Sequence, residues 1–213
     1  SPADDKVWTF DVATRDHLVI ALDLEPASLY RYGNGTLLWE TVFRSFNDVP
    51  FEIHGYTVEP TILTKLPSPG DGDAEIRTVT VDDGDWVVDA TGDVVTLFPG
   101  ESVLPAGCRS DDCAVTFDGT PLVMDQMEVT HELLDNLRWS DGEVLTADDS
   151  LYAFEVHSDP DTFSPVNPTD DQLARTASYE VVDSTHTRWT GLPGYVDSQY
   201  QRLFWMPFPR HAW

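Results

Sequence analysis

The chain has 213 residues, and its 38 Asp and Glu against 12 Lys and Arg give a formal net charge of −26. A field of that sign repels phosphate backbones and anionic lipid, which excludes nucleic acid as a partner. Hydrophobic content of 41% and aromatic content of 11% exclude a disordered chain and suffice for a buried core.

No stretch nears the roughly 20 apolar residues of a membrane-spanning helix. No signal peptide precedes Ser1, so the sequence reads as a mature or trimmed form. Residues 1–15, with Asp4, Asp5 and Lys6, are expected to form a leader or tether. His17 to Leu22 is a nearly continuous apolar run and predicts a buried strand. Asn34 is placed to cap a helix carrying Leu38, Val42 and Phe46 on one face. Val49 to Pro60 reads as a connector, and Pro60, Pro67, Pro69, Gly70 and Gly72 then break the chain into turns.

From Glu75 to Leu134 the signal is almost all β. The run from Glu75 to Val81 alternates, and further strands follow across Asp83-Gly84 and Thr91-Gly92. Asp118-Gly119 predicts a hairpin turn before the run from Pro121 to Val129, with a last strand at Val129 to Leu134. This block, residues 75–134, is expected to be a small antiparallel subdomain. Cys108 and Cys113 flank a short turn-rich loop. A disulfide is the favoured reading, worth about 2 kcal/mol for so small a ring. Free thiols and a metal site are the alternatives, though Asp111 and Asp112 suit a thiolate zinc centre poorly. A disulfide fits a protein exported from the cytosol.

Trp139-Ser140-Asp141-Gly142 reads as a strand end and a tight turn, because Gly tolerates positive φ and Asp bonds its own backbone. Thr146 and Asp149 have the spacing of a capping box, and Asp148 and Asp149 place charge where the helix dipole favours it. Leu151, Phe154 and Tyr152 supply the apolar side of that helix. A Pro-rich loop to Pro168 precedes a short helix near Asp170 to Arg175. Strands at Tyr179 to Val182 and Thr185 to Thr190 form a hairpin, and the Tyr200/Phe204 spacing predicts a helix over Asp197 to Trp205. The element order is a mixed α+β, β-rich form of the α/β class, without βαβ regularity.

Catalytic chemistry finds little support. His131-Glu132 begins like a metalloprotease motif, but position 135 is Asp and the region is strand-like. There is no G-x-S-x-G elbow, Walker loop or G-x-G-x-x-G. Acidic pairs are too abundant for any one to identify a hydrolase. The Asp/Gly clusters at 70–75 and 82–85 lack EF-hand order. No enzyme activity, cofactor or dedicated metal site is expected. Asn34-Gly35-Thr36 matches a glycosylation sequon, but a helix cap is the simpler reading. Trp39 and Trp205 are expected in the core and Trp139 beneath its turn. Trp8, Trp86, Trp189 and Trp213 are undecided between core and groove.

The segment from Trp139 to Asp149 resembles the "WSDG-x-x-x-TA-x-D" signature of the family 5 extracellular solute-binding proteins. These are the peptide-, oligopeptide- and nickel-binding receptors of bacterial ABC importers. Other segments match in family order. Residues 19–30 resemble the opening strand and "EP-x-x-L" turn. Asp159-Pro160 with Thr162 and Ser164-Pro165 resembles the "DP-x-T-x-SP" loop. Residues 176–190 resemble the "Y-x-V-x-D-x-x-T" hairpin, and 207–213 the "P-x-H" segment that ends the first lobe.

The resemblance implies a periplasmic-binding-protein-like type II fold. Residues 16–213 would be its first lobe, with the second lobe absent. It implies an extracellular or periplasmic, envelope-associated monomer that delivers a solute, expected to be a peptide, to an ABC permease. Ligand contacts would come from Glu25, Pro26, Ala27, Ser28 and Tyr30 on the turn facing the cleft. Glu25 could meet a cationic group or only order its turn, while exposed backbone pairs with an extended peptide. Phe163 is a weaker candidate, and Val166 stands where some members carry Tyr. The competing reading is a secreted β-rich module that binds a protein or glycan without transport.

Overall fold

The computed structural model describes residues 37–44, 47–55, 57–159, 161 and 170–212. The expected strand at 17–22, the Asn34 cap and the leader lie outside these. Helix α1 (Leu37–Phe43) buries Phe43 and is braced outside by a Glu40–Arg44 pair one turn apart, at 2.7 Å. The expected connector at 49–60 is instead a hairpin of β1 (Phe51–His54) and β2 (Thr57–Pro60). Gly55, at φ 66°, takes the left-handed conformation its turn needs, and Thr61 N–H closes the base on Pro50 O at 3.0 Å.

The fold is organised by one long strand. Strand β8 (Leu122–Glu132) pairs antiparallel with β3 (Ala74–Val81) and β10 (His186–Gly191), and β9 (Thr176–Val181) completes a sheet of order β3-β8-β10-β9. The separate strands expected at 121–129 and 129–134 are this single element. Its polar residues break up the apolar run, yet they alternate. Met127, Val129 and His131 face inward, while Gln126, Glu128 and Thr130 face out. The inward side packs on α2 (Ala147–Ser158), joining Ala74, Ala153, Tyr179, Trp189, Leu203 and Trp205 in the main core. The outward side carries ion pairs from Arg77 to Glu128 (3.0 Å) and from Arg188 to Glu180 (3.3 Å). One covered and one charged face is the usual state of an antiparallel sheet.

Near its start β8 serves a second core from its other face. Met124 is fully buried with Val81, Val87, Leu97, Val103 and Phe117. These residues come from β3, β4 (Trp86–Val88), β5 (Val94–Thr96), β6 (Ser102–Val103), β7 (Val115–Thr116) and their links, with β4–β5 and β6–β7 paired as hairpins. Thus β3 and β8 belong to the main sheet, and the small β unit beside it is β4 to β7. Asp125 sits where β8 changes allegiance. Its carboxylate accepts the Gly107 N–H at 2.8 Å and pairs with Arg109, and its carbonyl accepts the Gly194 N–H at 2.7 Å. Cys108 and Cys113 are joined as a disulfide, with Cα atoms 5.8 Å apart, in the loop that carries Arg109.

A third core joins Ile62, Leu63, Leu133, Ala147 and Phe204. It draws in Phe204, which the sequence assigns to a helix. Asp197 to Trp205 is not a helix beyond a short 3-10 turn at Tyr200–Arg202. Leu203 and Trp205 enter the main core while Phe204 enters the third, an alternation that a helix with a single apolar face does not give. Helix α3 (Asp170–Ala174) and the β9–β10 hairpin stand as expected. The described fold is mixed α/β and β-rich with antiparallel sheets.

Two measurements probe this packing. Gly194 has φ 88°, and a Cβ there would meet the Val88 carbonyl and, at 2.9 Å, Met124 Cε. Gly92 has φ 91° with nothing within 4 Å. Gly92→Ala should cost about 1 kcal/mol from backbone strain alone, and Gly194→Ala about 3 kcal/mol because a clash is added; denaturant midpoints separate the two.

His131 is buried, its Nδ1 lacks a hydrogen-bond partner, and burial pushes its pKa down from 6.5 to about 4. The unfolded chain takes up this proton below pH 6.5 and the folded chain only near pH 4. The stability of the neutral form is therefore whole above pH 6.5 and falls by about 3 kcal/mol as pH drops to 4. His131→Leu should flatten the stability profile across that window relative to the parent chain.

Candidate functional site

The described part of the resembling segments converges on the N-terminal end of α2. Residues 137–145 form a tight hairpin: Trp139 N–H bonds Glu143 O and Gly142 N–H bonds Trp139 O, both at 2.9 Å. Arg138 and Val144 bridge across it. Gly142 takes φ 97°, as the Asp-Gly turn requires, and Asp141 Oδ1 accepts the Glu143 N–H at 3.1 Å. Thr146 then caps α2, and the Asp149 carboxylate reaches back to the Thr146 N–H at 2.9 Å.

Asp149 does more than cap. It is 5% exposed, and the oxygen that takes the Thr146 N–H also accepts Trp139 Nε1–H at 3.3 Å. Its other oxygen accepts the Arg210 N–H at 3.0 Å, and its own carbonyl accepts the Phe208 N–H at 3.0 Å. A buried carboxylate is thus satisfied by neutral donors from three stretches of chain, as burial demands. Next to it His211 Nε2 meets Asp141 Oδ2 at 2.7 Å, and the Trp139 and His211 ring centroids lie 6.4 Å apart. The hydrogen bond to His211 holds Asp141 below its ordinary pKa and in turn raises that of His211. Arg210 pairs with Glu155 at 3.2 Å and lies 5.4 Å over the Tyr152 ring.

The β9–β10 hairpin is tied in by Ala147 N–H to Ser184 O at 2.8 Å, and through the core by Ser150, whose hydroxyl bonds Tyr179 Oη at 2.8 Å and the Trp205 carbonyl. Tyr179 Oη also lies within hydrogen-bond distance of Thr187 Oγ1, at 3.0 Å, and burial pushes the phenol up to about 12. This network holds a neutral Tyr and positions elements. It brings no nucleophile against a base. Among the described residues, no group of three or more His, Cys, Asp or Glu could hold a metal ion.

Glu25, Pro26, Ala27, Ser28, Tyr30 and Phe163 all lie outside the described residues. Of the "DP" loop only Asp159 and Asp161 are described, joined by an Asp161 N–H to Asp159 Oδ1 bond at 2.8 Å. Trp189 and Trp205 are core residues, as befits large apolar side chains, Trp139 is half-buried against Asp149 and His211, and Trp86 is 64% exposed. Sequence reasoning had no means of pairing Arg210 with Asp149 or His211 with Asp141, since each pair is separated by more than sixty residues.

No family model matches the chain, and no curated protein matches it. Among solved structures it is similar to an oligopeptide-binding protein from Thermus thermophilus, determined in complex with a pentapeptide. The TM-score is 0.42 and the identity 14%, over 73% of this chain and 18% of that one. The chain thus spans less than a fifth of the length of the protein it matches. No helix among the described residues is long and apolar enough to cross a membrane.

Asp149→Ala strands the Thr146, Trp139 and Arg210 donors together. It should cost about 3 kcal/mol or more and loosen the 207–212 segment. Chemical denaturation gives the first quantity, and the near-ultraviolet dichroism of Trp139 reports the second.

Proposed function

We propose that the chain is the first lobe of an extracellular or periplasmic solute-binding receptor, with a type II binding-protein fold, that captures a peptide for the permease of an ABC importer. The observation that carries this reading is the Asp149 junction. The signature from Trp139 to Asp149 and the terminal P-x-H segment resemble one family's motifs some sixty residues apart, and they meet at one buried carboxylate. A spurious match between short motifs gives no reason for them to share a hydrogen-bond network. The disulfide supports an oxidising compartment.

In this reading residues 16–213 are one rigid body of a two-lobe clamp, and a second lobe completes the cleft. Ligand binds across both lobes and favours the closed form because only that form offers both sets of contacts. The turn of Glu25, Pro26, Ala27 and Ser28, with Tyr30 and Phe163, supplies this lobe's share. Its backbone pairs with an extended peptide and Glu25 meets a basic group. The permease docks the closed form.

Calorimetry with short peptides of differing charge tests this. The full-length product of the gene should bind at micromolar affinity or tighter, and residues 1–213 alone about a hundredfold more weakly or not at all, since half the contacts are missing. A full-length protein that ignores every peptide but retains glycans contradicts the proposal.

A further inference from the structure

Three turns gather at the end of the small β unit remote from the disulfide loop. The β3–β4 turn, Asp82 to Asp85, is closed by Asp82 N–H to Asp85 Oδ2 at 2.7 Å and is tied to the next strand by Gly84 N–H to Leu97 O at 2.8 Å. The β5–β6 turn, Phe98 to Glu101, is tied to β7 by Gly100 N–H to Phe117 O at 2.9 Å. The β7–β8 turn, Asp118 to Pro121, lies against it, since a Cβ on Gly119 would sit 3.4 Å from Pro99 Cγ.

Two aromatic side chains stand out from this tip. Trp86 is 64% exposed and Phe98 52% exposed, while their neighbours Val87 and Leu97 are completely buried. Trp86 pairs with Thr96, the last residue of β5, and Phe98 lies two residues beyond it, where the Leu97 N–H still bonds Asp85 O at 2.7 Å, so both rings stand on the side opposite the buried Val87 and Leu97 at this end of the hairpin. The buried neighbours pin that face outward, and the hairpin cannot turn to hide the indole. Leaving a side chain of this size in water forgoes about 2 kcal/mol of burial.

The surroundings specify what could cover it. Asp82, Asp83, Asp85, Glu101 and Asp118 belong to these three turns, and between Arg77 and Arg138 the only Lys or Arg is Arg109. Arg109 is engaged with Asp125. An apolar partner would bury these carboxylates unpaired, at high cost. Anionic lipid and nucleic acid are repelled. A guanidinium satisfies both parts, because it stacks over an indole and forks onto a carboxylate. We propose that the Trp86–Phe98 tip is a docking surface for an arginine-bearing basic segment of a partner protein. The inference is independent of the receptor reading.

The probe is a fluorescent peptide of alternating Arg and Gly, titrated against the 213-residue chain and followed by anisotropy. Trp86→Thr with Phe98→Thr should weaken binding about tenfold or more, the scale of a desolvated cation–π contact. Asp111→Asn with Asp112→Asn, at the opposite end of the β6–β7 pair, should change it less than about threefold, as for screened surface charge. Thr retains strand propensity, and Phe98→Thr alone must shift binding in the same direction, which guards against misfolding. Equal losses in both double variants would mean generic adhesion to a polyanion and overturn the proposal. So would unchanged binding in the aromatic variant, or Trp86-dependent capture by neutral phosphatidylcholine vesicles in preference to the peptide.

Discussion

The Asp149 carboxylate accepts hydrogen bonds from the Trp139 indole, the Thr146 amide and the Arg210 amide, and no cation is needed to hold it. Each donor belongs to a different piece of structure: a hairpin, a helix start and the terminal segment. A buried carboxylate with too few donors is expensive, so the pieces are held in register by the cost of leaving it unsatisfied. The non-helical run from Leu203 to Phe208 fits that anchorage. With Phe208 and Arg210 fixed at α2, Leu203 and Trp205 fill one core and Phe204 another.

Strand β8 is the other constraint. Its two faces feed two cores, with Asp125 at the change-over paired to Arg109 and to the Gly107 amide. The disulfide between Cys108 and Cys113 closes the loop that presents Arg109, so a covalent link and a buried charge act on the same few residues. The small β unit is therefore fastened at its disulfide end as well as through the β3–β4 and β7–β8 turns, and Trp86 and Phe98 are displayed beside those turns.

Features encoded by neighbouring residues were legible. The Asp141-Gly142 turn, the Thr146/Asp149 cap, the β9–β10 hairpin and the cysteine pair all depend on spacings of a few positions. The hairpin at Phe51–Pro60 was not legible, because its turn carries a single Gly in place of an Asn-Gly or Asp-Gly pair. The helix expected at 197–205 rested on Tyr200 and Phe204. That spacing cannot distinguish one apolar face from an irregular segment wedged between two cores. Strand β8 looked divided because Asp125, Gln126 and Glu128 interrupt its apolar residues. The candidate ligand residues from Glu25 to Tyr30 and Phe163 came from resemblance alone, and the geometry that could weigh them lies outside the described residues. The Arg210–Asp149 and His211–Asp141 contacts join distant positions, and no local pattern announces such a pair.

A clamp lobe must move as one body up to the segment that leads toward its partner lobe, so the receptor reading depends on the terminal segment sharing the stability of α2. Amide hydrogen exchange under native conditions measures this directly at Phe208, Arg210 and the Trp139 indole. All three should open with the free energy of the α2 amides, and lose protection together in Asp149→Ala. Exchange of Phe208 and Arg210 at the rate of the exposed turns, with α2 still protected, would contradict the receptor reading.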